Sequence, residues 1–575
     1  MNRLHATVAG MILSLATMSH SAPLFSQSDT QVDALLAQMN LDEKIGQMVQ
    51  VDSAALKDKA DVQKYFLGSV LSGGNSDPDT GNTAPDWLAF VNGFESQARQ
   101  TRLKIPLLYG IDAVHGHNNI DGATVFPHHL GLGATHNPRL VEQAERVTAE
   151  EVAGTGIRWA FAPCVAVPQN ARWGRTYEGF SDRTALVTEL GAAAVIGLQG
   201  KHLSANPTSV LACAKHFIGD GGTTDGIDQG NTVCSEATLR KLYLPPYQAA
   251  IQAGVGSIMV SYSSWNGVKM HGNKYLLTDV LKHELGFRGF LVSDWAAIDQ
   301  LSPNYKDDVE QSINAGLDMI MIPNGLDKPN NYAEFIADLK ALVAEGKVPL
   351  ARIDDAVRRI LRIKFQMGLF TTPPATDPAL TAAVGSPAHR AVARQCVRES
   401  LVLLKNDHHV LPLSKQLKHL AVVGAGADDL GMQCGGWTVD WQGGHGNLTR
   451  GGTTLLAAIR QTVSPETQVT FSPDASAIGQ ADAIIAVVGE PPYAEMKGDR
   501  EHLDLSAGDE ALITRAQASG APVITLVYSG RPLAWDAVLA RSTAFVAAWL
   551  PGSEGLGMTD GLFGDHPFTG KMPRH

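Results

Sequence analysis

Cysteine is scarce: five in 575 residues, at Cys164, Cys213, Cys234, Cys396 and Cys434. They are too few and too scattered for a disulfide scaffold, and their odd number leaves at least one without an intrachain partner. Basic charge is in deficit, with 46 lysines and arginines against 58 acids and a net charge of −12. That excludes a chain whose main partner is nucleic acid. Tandem repeats and low-complexity tracts are missing. Beyond residue 22 no run reaches about 18 uninterrupted apolar residues, so no membrane span is expected in the mature chain. What is abundant is ordinary globular material: 44% hydrophobic residues, 18% charged residues and 57 glycines, enough to bury large cores between many loops.

The first 22 residues differ from the rest. Arg3 and His5 precede an apolar stretch over 6–18, and the small residues Ser21 and Ala22 follow. This pattern predicts a secretory signal peptide and a periplasmic or secreted mature protein. From about 65 to 325, short apolar runs ending in polar residues alternate with helical stretches. The runs lie at 67–71, 106–112, 160–163, 210–217, 257–262, 290–295 and 319–323, with helices expected at 138–153, 182–198, 237–253 and 279–285. Continuous apolar strands separated by helices imply a parallel sheet covered on both faces. Seven or eight such units predict a (β/α)8 barrel over 28–370. A linker with four prolines follows at 371–387, then a smaller α/β domain over 388–575 with strands at 420–424, 483–489, 522–528 and 545–550.

In a parallel barrel, chemistry collects at the carboxyl ends of the strands. Four runs end there in polar groups: Asp112 with His115 beyond it, Lys215-His216, Ser261-Tyr262 and Asp294-Trp295. Together with Arg172 or Arg175 they can bind a ring of hydroxyls. Trp295, Trp437 and Trp441 offer flat apolar faces, the last two in the glycine-rich loop Gly435-Gly-Trp437-Thr-Val-Asp-Trp441-Gln-Gly-Gly444. Sugars need this combination, because their edges are polar and their C–H faces apolar. Gly424-Ala-Gly426 is followed by Asp428-Asp429 rather than a helix-opening glycine, which argues against a nucleotide site. The spacing of His115, His117, His128 and His129 matches no standard metal-ligand set, and structural or sugar-binding roles are expected of them.

Several ordered motifs resemble glycoside hydrolase family 3. Gly286-Phe-Arg-Gly-Phe-Leu-Val-Ser-Asp294-Trp295 is similar to its nucleophile motif. The resemblance also takes in Tyr109-Gly-Ile-Asp112-Ala-Val-His115, Arg172-Trp-Gly-Arg175-Thr-Tyr-Glu178 and Lys215-His216-Phe-Ile-Gly-Asp-Gly-Gly-Thr223. It continues through Ser261-Tyr262-Ser-Ser-Trp265, Ser400-Leu-Val-Leu-Leu-Lys405-Asn and Gly489-Glu-Pro-Pro-Tyr-Ala-Glu495-Met-Lys-Gly-Asp499. It implies a barrel followed by an α/β sandwich with the active site between them, and exo-acting β-glucosidase or β-glucan glucohydrolase activity. Asp294 would be the nucleophile and Glu495 the acid/base. Asp112, Arg175, Lys215, His216 and Tyr262 would line the first glucosyl subsite. Trp295 and Trp441 would clamp the next sugar, with Trp437 nearby. The family needs no metal or organic cofactor, and the expected partners are β-linked glucose oligosaccharides or glucosides.

Retaining hydrolysis needs one ionised and one protonated carboxyl, so Asp294 is expected to stay ionised beside Lys215 and Arg175, and Glu495 to be raised by burial and by Asp294. Gln300 and Gln229 depart from the family pattern. Pro168 and Thr176 stand where some relatives pair two cysteines. The ending, Gly564-Asp-His-Pro-Phe-Thr-Gly570-Lys-Met-Pro573, is similar to a family motif that normally leads into a further strand, so the second domain is expected to be short. Two alternatives remain. One is a β-N-acetylglucosaminidase, disfavoured because the loop 219–228 contains no histidine. The other is a non-catalytic glucan-binding member, opposed by the presence of both Asp294 and Glu495.

Overall fold

The computed structural model describes residues 25–371 and 377–574. The expected signal peptide at 1–22 lies outside the described residues, as does part of the proline-rich stretch.

Eight short parallel strands form the first body: β1 (Val49–Asp52), β2 (Ser69–Ser72), β3 (Leu108–Ile111), β4 (Trp159–Ala160), β5 (Cys213–Phe217), β6 (Ser257–Val260), β7 (Phe290–Val292) and β8 (Ile320–Ile322). Neighbours pair in register from Val49↔Ile320 and Gln50↔Ser69 through Ser69↔Leu108 and Gly110↔Trp159. Cys213↔Ser257 and Phe290↔Ser257 continue the ladder on the other side. Parallel bridges Trp159↔Leu211 and Val292↔Met319 close the ring, so this is a complete eight-stranded barrel. The apolar runs become strands because both faces are covered: side chains fill the lumen inside and helices pack outside.

β1 has no apolar run. Its sequence alternates Val-Gln-Val-Asp, yet all four residues are buried. Gln50 is accommodated by donating from Nε2 to Ser69 Oγ at 2.8 Å inside the barrel. The stretch expected as one helix over 237–253 is two helices, Glu236–Leu242 and Pro245–Gln252, because Pro245-Pro246 interrupts the backbone ladder.

The second domain is a six-stranded sheet: β9 (Val402–Asn406), β10 (His419–Val423), β11 (Gln468–Ser472), β12 (Ala483–Gly489), β13 (Val523–Tyr528) and β14 (Ala544–Trp549). The spatial order is β9-β14-β13-β12-β10-β11, parallel except for β9 against β14. Alternate residues feed two cores. Leu420, Val422, Ile485, Val487, Ile524 and Leu526 face one helical layer. Ala421, Val423, Ile484, Ala486, Val488 and Val523 face the other. That alternation makes it a three-layer α/β sandwich.

The two bodies meet over a separate apolar seam. Val114, Leu130 and Tyr177 from the barrel pack with Trp437, Ala494, Trp549 and Leu550 of the second domain. Between the bodies, helix Pro378–Ala383 lies against the barrel, where Thr381 Oγ1 donates to Gly154 O at 2.7 Å. Among the described residues no helix is long and apolar enough to cross a membrane.

Candidate active site

At the carboxyl ends of the barrel strands, under the edge of the second domain, lies a cavity of about 370 Å³. Asp112, Arg175, Lys215, His216, Tyr262, Asp294, Trp295, Trp437, Trp441 and Glu495 all line it. Every residue to which the resemblance gives a catalytic or sugar-binding role is therefore in one place, whereas His115, Arg172 and Ser261 do not line it. Asp52, Gln229, Met259, Met321 and the turn 73–76 also line it, and the sequence reading did not select them as lining residues.

Each polar group is held by a traceable element. A regular strand sends consecutive side chains to opposite faces. β5 shifts register between Ala214 and Phe217, and both Lys215 and His216 reach the cavity. Lys215 Nζ pairs with Asp112 Oδ1 at 2.8 Å. Burial pulls the ammonium down, but the Asp112 and Glu178 charges outweigh it and leave its pKa raised. Arg175 is gripped by Glu178, Nε to Oε1 at 2.9 Å and Nη2 to Oε2 at 2.8 Å, a two-point clamp that fixes the guanidinium plane. Glu178 appeared in a sequence motif but not among the selected residues.

Arg175 is the hinge of the charge network. Its Nη1 lies 3.1 Å from Glu495 Oε1, and its Nη2 lies 3.2 Å from His216 Nε2. His216 Nε2 in turn lies 3.8 Å from Asp294 Oδ2, and His216 Nδ1 lies 2.9 Å from Asp220 Oδ2. One network thus links the nucleophile candidate on the barrel to the acid/base candidate on the second domain.

Asp294 is fixed at both ends. Its backbone N–H donates to His271 Nε2 at 3.0 Å, and its Oδ1 accepts from the Trp295 N–H at 2.7 Å. Burial pushes its carboxyl up to about 6, against the opposing charges of Arg175 and Lys215. The basic neighbours expected from the sequence are present, but they do not fully offset burial. Burial also pushes Glu495 up to about 8, with Arg175 opposing and Glu178 and Asp294 adding to the rise. Glu495 sits in left-handed backbone at φ +52°, and so does Trp437 at φ +58°. Non-glycine residues in that region cost free energy and cluster at functional sites.

The aromatic walls are equally well anchored. Trp437 is buried at 6% exposure and donates from Nε1 to Glu178 Oε1 at 3.2 Å. The Gly435–Gly444 segment is a loop, as its composition predicts. His115 Nε2 contacts Trp437 O at 3.0 Å, and His128 Nε2 contacts Gly436 O at 2.9 Å. These barrel histidines therefore hold a loop of the second domain. Trp295 is 38% exposed at the mouth of the cavity. Gln300 accepts from Lys269 Nζ at 2.7 Å, and that lysine also donates to Tyr262 O at 3.0 Å, so one lysine joins the departure at 300 to the Tyr262 backbone.

One group among the described residues has metal-ligand chemistry: Cys164, His216 and Asp220, all buried. Both His216 nitrogens are already engaged, and burial pushes the Cys164 thiol far above its ordinary value, so the set fits a hydrogen-bonded cluster better than an ion site. The five cysteines are all free thiols.

Comparison with known proteins followed the same division of the chain. Residues 40–363 match the glycosyl hydrolase family 3 N-terminal domain, and residues 401–575 match the glycosyl hydrolase family 3 C-terminal domain. A lysosomal beta glucosidase of Dictyostelium discoideum is 33% identical over 95% of this chain and 72% of its own length. A periplasmic beta-glucosidase of Salmonella typhimurium is 33% identical over 95% of this chain and 74% of its own. The crystal structure of an exo-1,3/1,4-beta-glucanase from a Pseudoalteromonas species superposes with a TM-score of 0.90 at 40% identity, covering 96% of this chain and 71% of that one.

Proposed function

Because the chain belongs to glycosyl hydrolase family 3, we propose that it is a retaining exo-β-glucosidase, releasing glucose from the non-reducing ends of β-glucosides and β-gluco-oligosaccharides. The observation that carries the reading is the pair of carboxyls in one cavity: Asp294, at about 6, and Glu495, at about 8. Near neutral pH the first is mostly ionised and the second mostly protonated, the division that double displacement requires.

In the proposed reaction Asp294 Oδ2, the oxygen not tied to the Trp295 N–H, attacks the anomeric carbon. Glu495 passes its proton to the departing oxygen as the glycosidic bond breaks. The glucosyl ester on Asp294 is then cleaved by water, which gives its proton back to Glu495 and leaves β-glucose. Asp112, Arg175, Lys215, His216 and Tyr262 bind the ring hydroxyls in the first subsite. Trp295 and Trp441 hold the second sugar, with Trp437 behind. The nucleophile domain is taken as 28–370 and the acid/base domain as 388–575, joined through 371–387. The periplasm or the surrounding medium is the proposed location, supported by the apolar leader pattern at 1–22 and by a relative named as periplasmic.

The test is hydrolysis of a β-linked glucose trisaccharide followed by proton NMR from the first turnover. β-Glucose and the disaccharide should appear first. Initial α-glucose would overturn retention, and internal cleavage products would overturn the exo assignment.

A further inference from the structure

The two tryptophans assigned to the second sugar come from different domains: Trp295 follows β7, and Trp441 sits in the 435–444 loop. A stacking clamp works only if its walls keep a fixed gap. The turn 73–76, which follows β2, lies against both. A Cβ placed on Gly73 would come 2.7 Å from Trp295 Cζ3, and one on Gly74 would come 2.6 Å from Trp441 Cβ. Neither glycine has a positive φ, so these positions are explained by the Trp295 indole and the Trp441 Cβ pressing on the backbone rather than by backbone conformation. Asn75 Oδ1 accepts from the Trp441 N–H at 2.9 Å.

The turn is in turn fixed from below. Asp52, at the end of β1 and 4% exposed, accepts from Gly73 N at 3.2 Å through Oδ1 and from Ser76 Oγ at 2.9 Å through Oδ2. Its carboxylate thus nails both ends of a four-residue turn to the barrel rim.

We infer that the turn 73–76 is a bracket that sets the gap between Trp295 and Trp441, with Asn75 as a positioning residue, and that it determines how tightly the cavity holds a β-linked glucose unit in the second subsite. The inference rests on the glucosidase reading for the identity of the sugar, and it adds a determinant outside the stacking residues themselves. The glycine pair makes room for the Trp295 ring and the Trp441 Cβ, Asn75 registers the Trp441 backbone, and Asp52 holds the turn to the rim.

The experiment compares two substrates. A β-linked glucose disaccharide fills both subsites, whereas β-glucosyl fluoride leaves the second subsite empty. Gly73→Ala, Gly74→Ala and Asn75→Ala should each raise KM for the disaccharide roughly 3–10-fold, the scale of one weakened aromatic contact. Both constants for the fluoride should stay within about twofold, under a third of that contact free energy at its upper end. Asn75→Asp keeps the acceptor and should restore the disaccharide KM. Equal losses on both substrates, or no loss on either, would overturn the bracket. The contrast can also be read without turnover: in an Asp294→Ala background, calorimetry should show weakened disaccharide affinity and unchanged glucose affinity upon adding Asn75→Ala. If the unmutated chain cleaves neither substrate, the glucosidase reading fails, and the bracket stands or falls on this affinity contrast alone.

Discussion

On the proposed roles, the two carboxyl groups at the centre of the cavity set the pH dependence. With Asp294 at about 6 and Glu495 at about 8, kcat/KM should rise as pH climbs through about 6, where Asp294 ionises. It should fall through about 8, where Glu495 loses its proton. The limbs belong to the interacting pair, and a profile flat across both would remove the burial argument. Asp294→Ala should abolish turnover even of β-glucosyl fluoride, because no ester can form. Glu495→Ala should spare attack on the fluoride, slow ester hydrolysis, and be rescued by azide to give β-glucosyl azide; an α-azide would mean inversion. These residues were legible because strand-end polarity and local motifs marked them. Asp52 was not, because β1 gave no apolar run to end. Asn75 was not, because its contribution is one hydrogen bond to a backbone 366 residues away. Arg531, just past the end of β13, carries a strand-end signal too, but nothing local to it names a partner.

Within the second domain, strands buried on both faces were readable at the element scale, and half-covered edge strands were not. The central β12 is a continuous apolar run, and β13 is interrupted only by the buried Thr525. By contrast β9 and β11 are edge strands whose polar residues, Lys405 and Asn406 in one and Gln468 in the other, break the pattern. Helix Pro387–Ser400 shows what a connecting element contributes to stability. His389 Nδ1 pairs with Glu151 Oε1 at 2.8 Å and Nε2 with Glu150 Oε2 at 3.1 Å, tying this helix to barrel helix Pro138–Gly154. Burial opposes the charge, but the two carboxylates prevail and lift the imidazole to about 9 from an ordinary 6.5. A raised pKa stabilises the fold most below the unfolded value, so the contribution should be full below about 6.5 and lost as pH rises through about 9. His389→Ala should therefore cost on the order of 2 kcal/mol at acid pH and progressively less above neutrality, read by denaturant unfolding. A wild-type-minus-variant gap that is the same on both sides of that window would assign the stabilisation to packing instead.

At the scale of the whole molecule, the active site depends on how the second domain is seated. Arg531, fully buried, reaches from that domain to Ala171 O at 3.0 Å and Arg172 O at 3.1 Å on the barrel. It also pairs with Glu490 at 3.2 Å and bonds Gly498 O at 2.5 Å, at the two ends of the Glu495 loop. Asp499 completes the seat by accepting from Gly174 N and Asp228 N, each at 2.8 Å. Arg531→Ala removes one of the two cations paired with the buried Glu490 carboxylate, leaving Arg500 with the neutral donors Tyr493 Oη and Gly530 N–H. It should lower kcat/KM for disaccharides by on the order of 10–100-fold and split thermal unfolding into two transitions. An unsplit transition with normal turnover would credit the apolar seam with the whole of docking. Neither the seam nor the barrel partners of Arg531 were readable in the sequence, since each joins segments hundreds of residues apart. The placement of the two carboxyl groups on different domains also has a consequence in time. A chain made from its N-terminus completes the barrel, with Asp294 and the sugar-binding rim, while residue 495 does not yet exist. On the proposed roles, the part made first carries the nucleophile, and the proton donor for the departing oxygen enters only when residue 495 of 575 is added. On that reading, cleavage of a glucoside waits on the folding and seating of the second domain, whatever the barrel has already assembled.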